Sequence, residues 1–205
     1  MSSPTSIEYF RKQSKALSRS VVAGDAGALH RIERYLGDST SHGLTKCQYV
    51  VACEHGFSSW QALIHADDAE RRLAITMERE PVLNDNGLGI SDVYLGSPRD
   101  VRLAVLQRDR LILRSKLDDV KRTLKWLRLN LPPLKTARRP VSSYFLKHVA
   151  EEDIGYITNG VFIAAGLIAG YPHRFYGEPN LYFGISIRAL RAIEARQVAA
   201  GTRSL

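Results

Sequence analysis

The sequence predicts a mainly α protein, α+β at most. Three observations predict it. Apolar residues recur at helical spacing through the first 64 positions, punctuated by capping residues. A heptad pattern runs from Leu103 to Leu127. Two further helical stretches lie between 142 and 171, and only the turn-rich segment after them has strand character. The expected organisation is a short-helix module (1–80), a linker (81–98), a long basic amphipathic helix (99–131), a basic linker (132–141) and a small helical domain with a minor β hairpin (142–205).

Within the first module, Ile7, Phe10, Ala16 and Leu17 open a helical pattern that Gly24-Asp25 interrupts. Asp25 suits an N-cap for a helix over 26–36, and Gly37 suits its C-cap. Asp38 to Gly43 reads as a polar loop. Thr45 is the expected cap of the next helix, which Gly56 ends. Ser58 or Ser59 caps a third, running through Trp60, Leu63 and Ile64 into the charged stretch DDAERR. Phe57 and Trp60 flank the junction and are expected in the core. His55 is expected as a cap or a buried hydrogen-bonding residue. The stretch PVLNDNGLGISDVYLGSP (81–98) is rich in Gly, Asn, Asp and Pro and reads as a domain boundary.

Pro98 opens the long helix as its N1 residue. Leu103, Leu106, Arg110, Leu113, Leu117, Val120, Leu124 and Leu127 follow alternating spacings of three and four. Arg110 is the one polar violation. Pro132-Pro133 stops the helix. Its apolar stripe needs cover, from the C-terminal domain or from a second copy in a homodimer through 103–127. PLKTARRP then reads as an extended basic linker. Ser142 or Ser143 caps a helix, Gly155 turns the chain, and Thr158 or Asn159 caps GVFIAAGLIAGY. That last helix presents no donor or acceptor beyond its first turn, so it suits burial and not the reading of base edges. Phe175, Tyr176, Tyr182 and Phe183 surround Gly177-Glu178-Pro179-Asn180 in the strand-like segment. Ser186 caps a final helix that Gly201 ends.

Two stretches carry resemblances. SRSVVAGDAGALHRIERYL resembles the second half of an ankyrin repeat. LTKCQYVVACEHGFSSWQAL resembles a Glu-His-Gly-Phe-x-Ser-Trp element of bacterial ankyrin-like and small glyoxalase-related helical modules, through Leu44, Thr45, Gln48, Ala52, Glu54, His55, Gly56, Phe57, Ser59, Trp60 and Leu63. About three stacked units are needed for a solenoid, so a compact module is expected. In the C-terminal part, Ser142, Tyr144, Leu146, Lys147 and His148, then Tyr156, Asn159, Gly160, Phe162 and Ile163, then Pro179-Asn180, resemble uncharacterised proteins of bacterial plasmids and phages. That resemblance implies a mobile-element setting and no particular activity.

Charge points to a function class. Residues 1–98 carry ten basic and twelve acidic side chains, residues 148–205 five of each, and residues 99–147 fourteen basic against four acidic. A basic segment so concentrated is the footprint of a polyanion binder. Arg114, Lys121, Arg122, Lys125, Arg128, Lys135, Arg138, Arg139, Lys147 and Arg174 are the expected phosphate contacts, with Tyr176 or Tyr182 as stacking rings. The expected function is thus a non-enzymatic accessory protein binding DNA or RNA. A protein-binding adaptor is the alternative, and a nuclease-like toxin the second alternative. For an enzyme, the candidates are Tyr144, Lys147, His148 and Glu152, with Lys147 paired to Glu151 and Tyr144 or His148 to Glu152 along one helix, a spacing suited to acid–base work.

Other classes find no footing. Nucleotide-binding, metalloprotease and hydrolase fingerprints are missing from the sequence. No cofactor is expected. His42, Cys47, Cys53 and His55 lack metal-ligand spacing. Cys47 and Cys53 lie about 240° apart around one helix, which disfavours a disulfide. Reduced thiols suit a cytoplasmic protein. The longest nearly uncharged run, Tyr156 to Tyr171, is short for a membrane span of roughly 20 residues. The N-terminus lacks the apolar core of a secretory signal.

Overall fold

The computed structural model describes residues 5–37, 43–177 and 179–201. The polar loop expected from Asp38 falls, as far as His42, outside the described residues, and so does Glu178. Among the described residues the chain forms ten α-helices and two small antiparallel sheets. It divides into two compact units, 1–78 and 79–205. None of these helices is long and apolar enough to cross a membrane.

The first unit holds α1 (Ser6–Val22), α2 (Ala26–Leu36), α3 (Leu44–Glu54), α4 (Trp60–His65) and α5 (Asp68–Arg79). Phe10, Leu17 and Val21 put one face of α1 into a core with Ile32, Cys47, Val50, Val51, Phe57 and Leu63. Trp60 packs partly buried against it. Asp25 caps α2 through Ala28 N (2.7 Å), and Gly37 follows at φ +61°. Two expectations need correction. Gly43, not Thr45, is the N-cap of α3, and Thr45 lies in its first turn. The helix from Trp60 does not run into DDAERR. It stops at His65, because buried Arg71 draws the carbonyls of Leu63, Ile64 and Ala66 to its guanidinium. Asp67 then receives Glu70 N as α5 begins.

His55 is the buried hydrogen-bonding residue expected. Its Nδ1 lies 2.8 Å from the Val51 carbonyl and its Nε2 2.9 Å from Glu78 Oε2. Glu78 also accepts from Tyr9 Oη (2.6 Å) and Gln13 Nε2 (2.8 Å). Burial alone would raise the Glu78 pKa. The hydrogen bonds from His55, Tyr9 and Gln13 outweigh it and hold the carboxyl at about 2.

The second unit holds β1 (Leu83–Asn84), β2 (Gly87–Leu88), α6 (Arg99–Ser115), α7 (Leu117–Asn130), β3 (Val141–Ser142), α8 (Ser143–Ile154), α9 (Asn159–Ile168), β4 (His173–Phe175), β5 (Leu181–Phe183) and α10 (Ile187–Ala199). Helix α9 is its centre, buried from Asn159 to Gly166 and packed against α7 and α8. The order β3-β5-β4 sets Ser142, Tyr182 and Arg174 in one cross-strand row. Phe183 of the central strand packs edge-on to Phe162 of α9. Thr158 caps α9, Ser186 caps α10, and Gly201 at φ +71° follows α10.

The long helix is broken. Lys116, at φ −91° and ψ +31°, separates α6 from α7, and its Nζ is tied to Asp85 Oδ2 at 2.8 Å. From Leu113 onward most of the apolar stripe is covered within the chain, with Leu113, Val120, Leu124 and Leu127 buried and Leu117 half-buried. Leu103 is 45% exposed. The seam expected to serve a homodimer is therefore open only before Leu113. Arg110 has an internal role, donating to the carbonyls of Glu80, Pro81 and Leu83. Pro98 sits at the N-cap of α6, one position before N1.

Residues 81–98 are no linker. Asn84 and Asp85 are buried, and the hairpin β1–β2 is part of the second unit's interior. The Gly/Asn composition signals a tight turn here, not a flexible tether. The segment 132–140 is mostly exposed but is anchored to the second unit at two points. Pro133 bridges to Ile185, and Ala137 is buried. Ser142 caps α8 by backbone alone. Ser143 Oγ instead bonds Asn159 Oδ1 (2.9 Å) and receives Leu181 N (3.2 Å).

Two predictions follow from this packing. A Cβ at Gly160 would stand 1.9 Å from the Asn84 carbonyl oxygen. Gly160→Ala is expected to cost about 3 kcal/mol in urea unfolding. Gly96→Ala, with open space around it, is expected to be near neutral. Because the Glu78 pKa is depressed on folding, its contribution is present above about pH 4.5 and lost as pH falls toward 2. The urea midpoint of Glu78→Gln should therefore lie below wild type at pH 6 and converge with it near pH 2. A gap independent of pH would contradict this.

Candidate nucleic-acid interface

Helix α7 sorts its residues sharply. Val120, Thr123, Leu124, Trp126 and Leu127 face inward. At 100° per residue, Lys121, Arg122, Lys125 and Arg128 all fall on the opposite side. Lys121 and Arg122 reach back to Asp118 (3.8 Å) and Asp119 (2.9 Å). Pairs of this exposed i,i+3 kind contribute little and exchange readily for other anions. Lys125 and Arg128 are exposed and form no ion pair among the described residues. The same holds for Lys135, Arg138 and Arg139 in the segment after the helix. Arg174 stands exposed on β4. Arg114, near the end of α6, is only half-exposed.

Lys147 departs from the expected role. Its side chain is 7% exposed, and its Nζ lies 2.7 Å from Glu151 Oε1. It sits over two rings, 5.6 Å from the centroid of Tyr144 and 5.2 Å from that of Tyr156. A cation so enclosed and so paired is a brace, not a phosphate contact. Glu151 also accepts Ile157 N (3.1 Å) and lies 2.7 Å from His148 Nδ1. Burial alone would raise its pKa. The hydrogen bonds from Lys147 and Ile157 N, with the charges of Lys147 and His148, lower it instead.

Of the enzymatic candidates, Tyr144, Lys147 and His148 do come together, with the Tyr144 and His148 rings edge-to-face at 4.6 Å. The carboxylate among them is Glu151. Glu152 is exposed and plays no part in the cluster. A carboxylate with a lowered pKa and its oxygens already engaged is a weak general base. The cluster reads as structure first. In the first unit, Cys47 is buried in the core, Cys53 is half-buried, and His55 is engaged with Glu78. His42 lies outside the described residues.

Two further features matter that spacing in the sequence did not show. Tyr156 lies beyond the turn at Gly155, so no helical periodicity links it to Lys147. Asp85 is a hub, accepting Thr158 Oγ1 (2.8 Å) and Lys116 Nζ (2.8 Å) while its carbonyl receives Gly160 N (3.0 Å). The Asn-Asp-Asn-Gly run was the available signal for it.

The sheet offers a smaller aromatic site. Tyr176 meets Tyr182 edge-on at 4.9 Å, with Arg174 across the strand from Tyr182. No protein-family model, curated protein or solved structure matches the chain.

If Glu151 is the brace and Glu152 is not, their substitutions separate. Glu151→Ala strands a buried cation and is expected to cost about 3 kcal/mol. Glu152→Ala should fall within about 0.5 kcal/mol of wild type. Urea denaturation of the two variants decides the point.

Proposed function

We propose that the chain binds nucleic acid through its second unit, as a non-enzymatic accessory protein. A bacterial mobile-element setting is the part of this reading that rests on sequence resemblance. The observation that carries the proposal is where charge remains unspent. Residues 1–78 hold nine basic and nine acidic side chains, and residues 79–205 hold twenty and twelve, so the whole formal +8 belongs to the second unit. Within that unit Lys125, Arg128, Lys135, Arg138 and Arg139 are exposed without an ion pair among the described residues. Cations free to meet phosphates release counterions on binding, and this makes affinity fall with salt. The helix that resembles a recognition helix by position, α9, is buried. Contact is therefore with the backbone, without major-groove readout.

An adaptor role draws on exposed Val93, Leu95 and Leu111. Apolar docking there would be insensitive to salt.

Fluorescence anisotropy with labelled 20-mers tests the proposal. Five neutralised phosphates imply a log–log salt slope near −4, so affinity should drop several hundredfold between 50 and 200 mM NaCl. Lys125→Glu, Arg128→Glu, Arg138→Glu and Arg139→Glu combined should abolish binding while the far-UV circular dichroism stays unchanged. Absence of binding at 50 mM NaCl would overturn the reading.

A further inference from the structure

We infer, on the nucleic-acid reading above, that the second unit takes its ligand as a single strand, with bases stacked on Tyr144 and Tyr156. Both rings stand well out of the surface, 54% and 74% exposed. Tyrosines are common at surfaces; these two are unusual in being held from beneath. Gly155, at φ +76°, turns the chain after α8 and brings Tyr156 back over that helix. Lys147 then lies over both rings, 5.6 Å from one centroid and 5.2 Å from the other, with Glu151 fixing its ammonium. A shared cation places the two centroids within about 11 Å of each other, a span of two or three stacked bases at roughly 3.4 Å per base.

The platform is thus ordered before any ligand arrives, and less side-chain freedom is lost on binding. It also joins the basic face of α7. Arg122 Nη2 reaches the Tyr156 carbonyl at 3.3 Å, setting a guanidinium beside that residue, and Lys125 stands one turn further along α7. Exposed rings flanked by a cationic track are what single-strand binders present, since every base has a face to stack. A duplex keeps its base faces inside and has no use for such rings. Tyr176 and Tyr182 make a poorer platform. Tyr182 is half-buried and meets Tyr176 edge to face, and Arg174 is the cation across the strand.

Anisotropy at 50 mM NaCl with fluorescein-labelled dT20, U20 and a 20-base-pair duplex tests this. Single strands of either sugar should bind at least tenfold tighter than the duplex. Tyr144→Leu and Tyr156→Leu should each weaken single-strand binding about tenfold and leave the duplex within twofold. Tyr144→Phe and Tyr156→Phe should bind as wild type, because stacking needs the ring and not the hydroxyl. Urea midpoints of all four variants check that the fold is intact. Duplex binding as tight as single-strand binding, or leucine variants that bind dT20 and U20 normally, would overturn the single-strand inference and leave nucleic-acid binding standing. No binding to any of the three probes would overturn both.

Discussion

Burial of α9 on all sides is the constraint on which the second unit depends. An all-apolar helix gains most when no face meets water. Its N-terminus must then find partners for its polar groups inside the protein, because an unpaired buried amide costs heavily. The hairpin β1–β2 supplies them. Asp85 receives Thr158 and Gly160 of the helix start, and Asn159 Nδ2 reaches Asn180 Oδ1 at 3.0 Å. Ser143 at the start of α8 holds the other end of the same amide. Four distant segments are locked by one polar knot, and Gly87 and Gly160 are the residues that let backbones come close enough to tie it.

The knot also shapes the electrostatics. Asp85 and Asp109 are drawn inward, with Asp109 taken by Asn86 and Arg108. Glu151 is spent on Lys147, and Asp153 on Trp126 and Arg196. Each of these carboxylates takes a cation with it, Arg108, Lys116, Lys147 or Arg196, so pairing leaves the net excess unchanged and concentrates it on cations such as Lys125, Arg128, Lys135, Arg138 and Arg139. Internal pairing and external potential are two consequences of one arrangement.

This separates what was legible in the sequence from what was not. Local signals were readable because they act over three or four residues. Asp25, Thr158 and Ser186 cap the helices they were expected to cap, and the apolar composition of α9 announced its burial. Misreadings came where a distant partner decided the outcome. The heptad run was real as a pattern, yet Lys116 is held by Asp85, thirty-one positions away, and the helix breaks there. Arg71 interrupts a helical run by taking its carbonyls. The loop 81–98 has linker composition, but Asn84, Asn86 and Gly87 serve the turn of the β1–β2 hairpin. For the candidate interface, charge density alone pointed to the cations of α7 and 135–139, and most of them are exposed. Lys147 was legible in part: its i,i+4 pairing with Glu151 could be read, but its burial could not, because whether a lysine stays in solvent depends on what folds over it.

Lys147 shows why a cation lost to the proposed phosphate contacts is not lost to the surface. Burying an ammonium is unfavourable unless a carboxylate and polarisable neighbours compensate. Glu151 and the two tyrosine rings do so, and in compensating they acquire a fixed geometry that solvent-exposed rings ordinarily lack. A lysine at this position in open solvent would add one more charge to an already basic face, with modest effect at physiological ionic strength. Enclosed, it organises two aromatic surfaces beside that face. The C-terminal end of α8 and the turn at Gly155 are held by the same contacts through Ile157 N. Stability of this corner and the shape it presents are therefore not separable, and a substitution that loosens the brace loosens the rings with it.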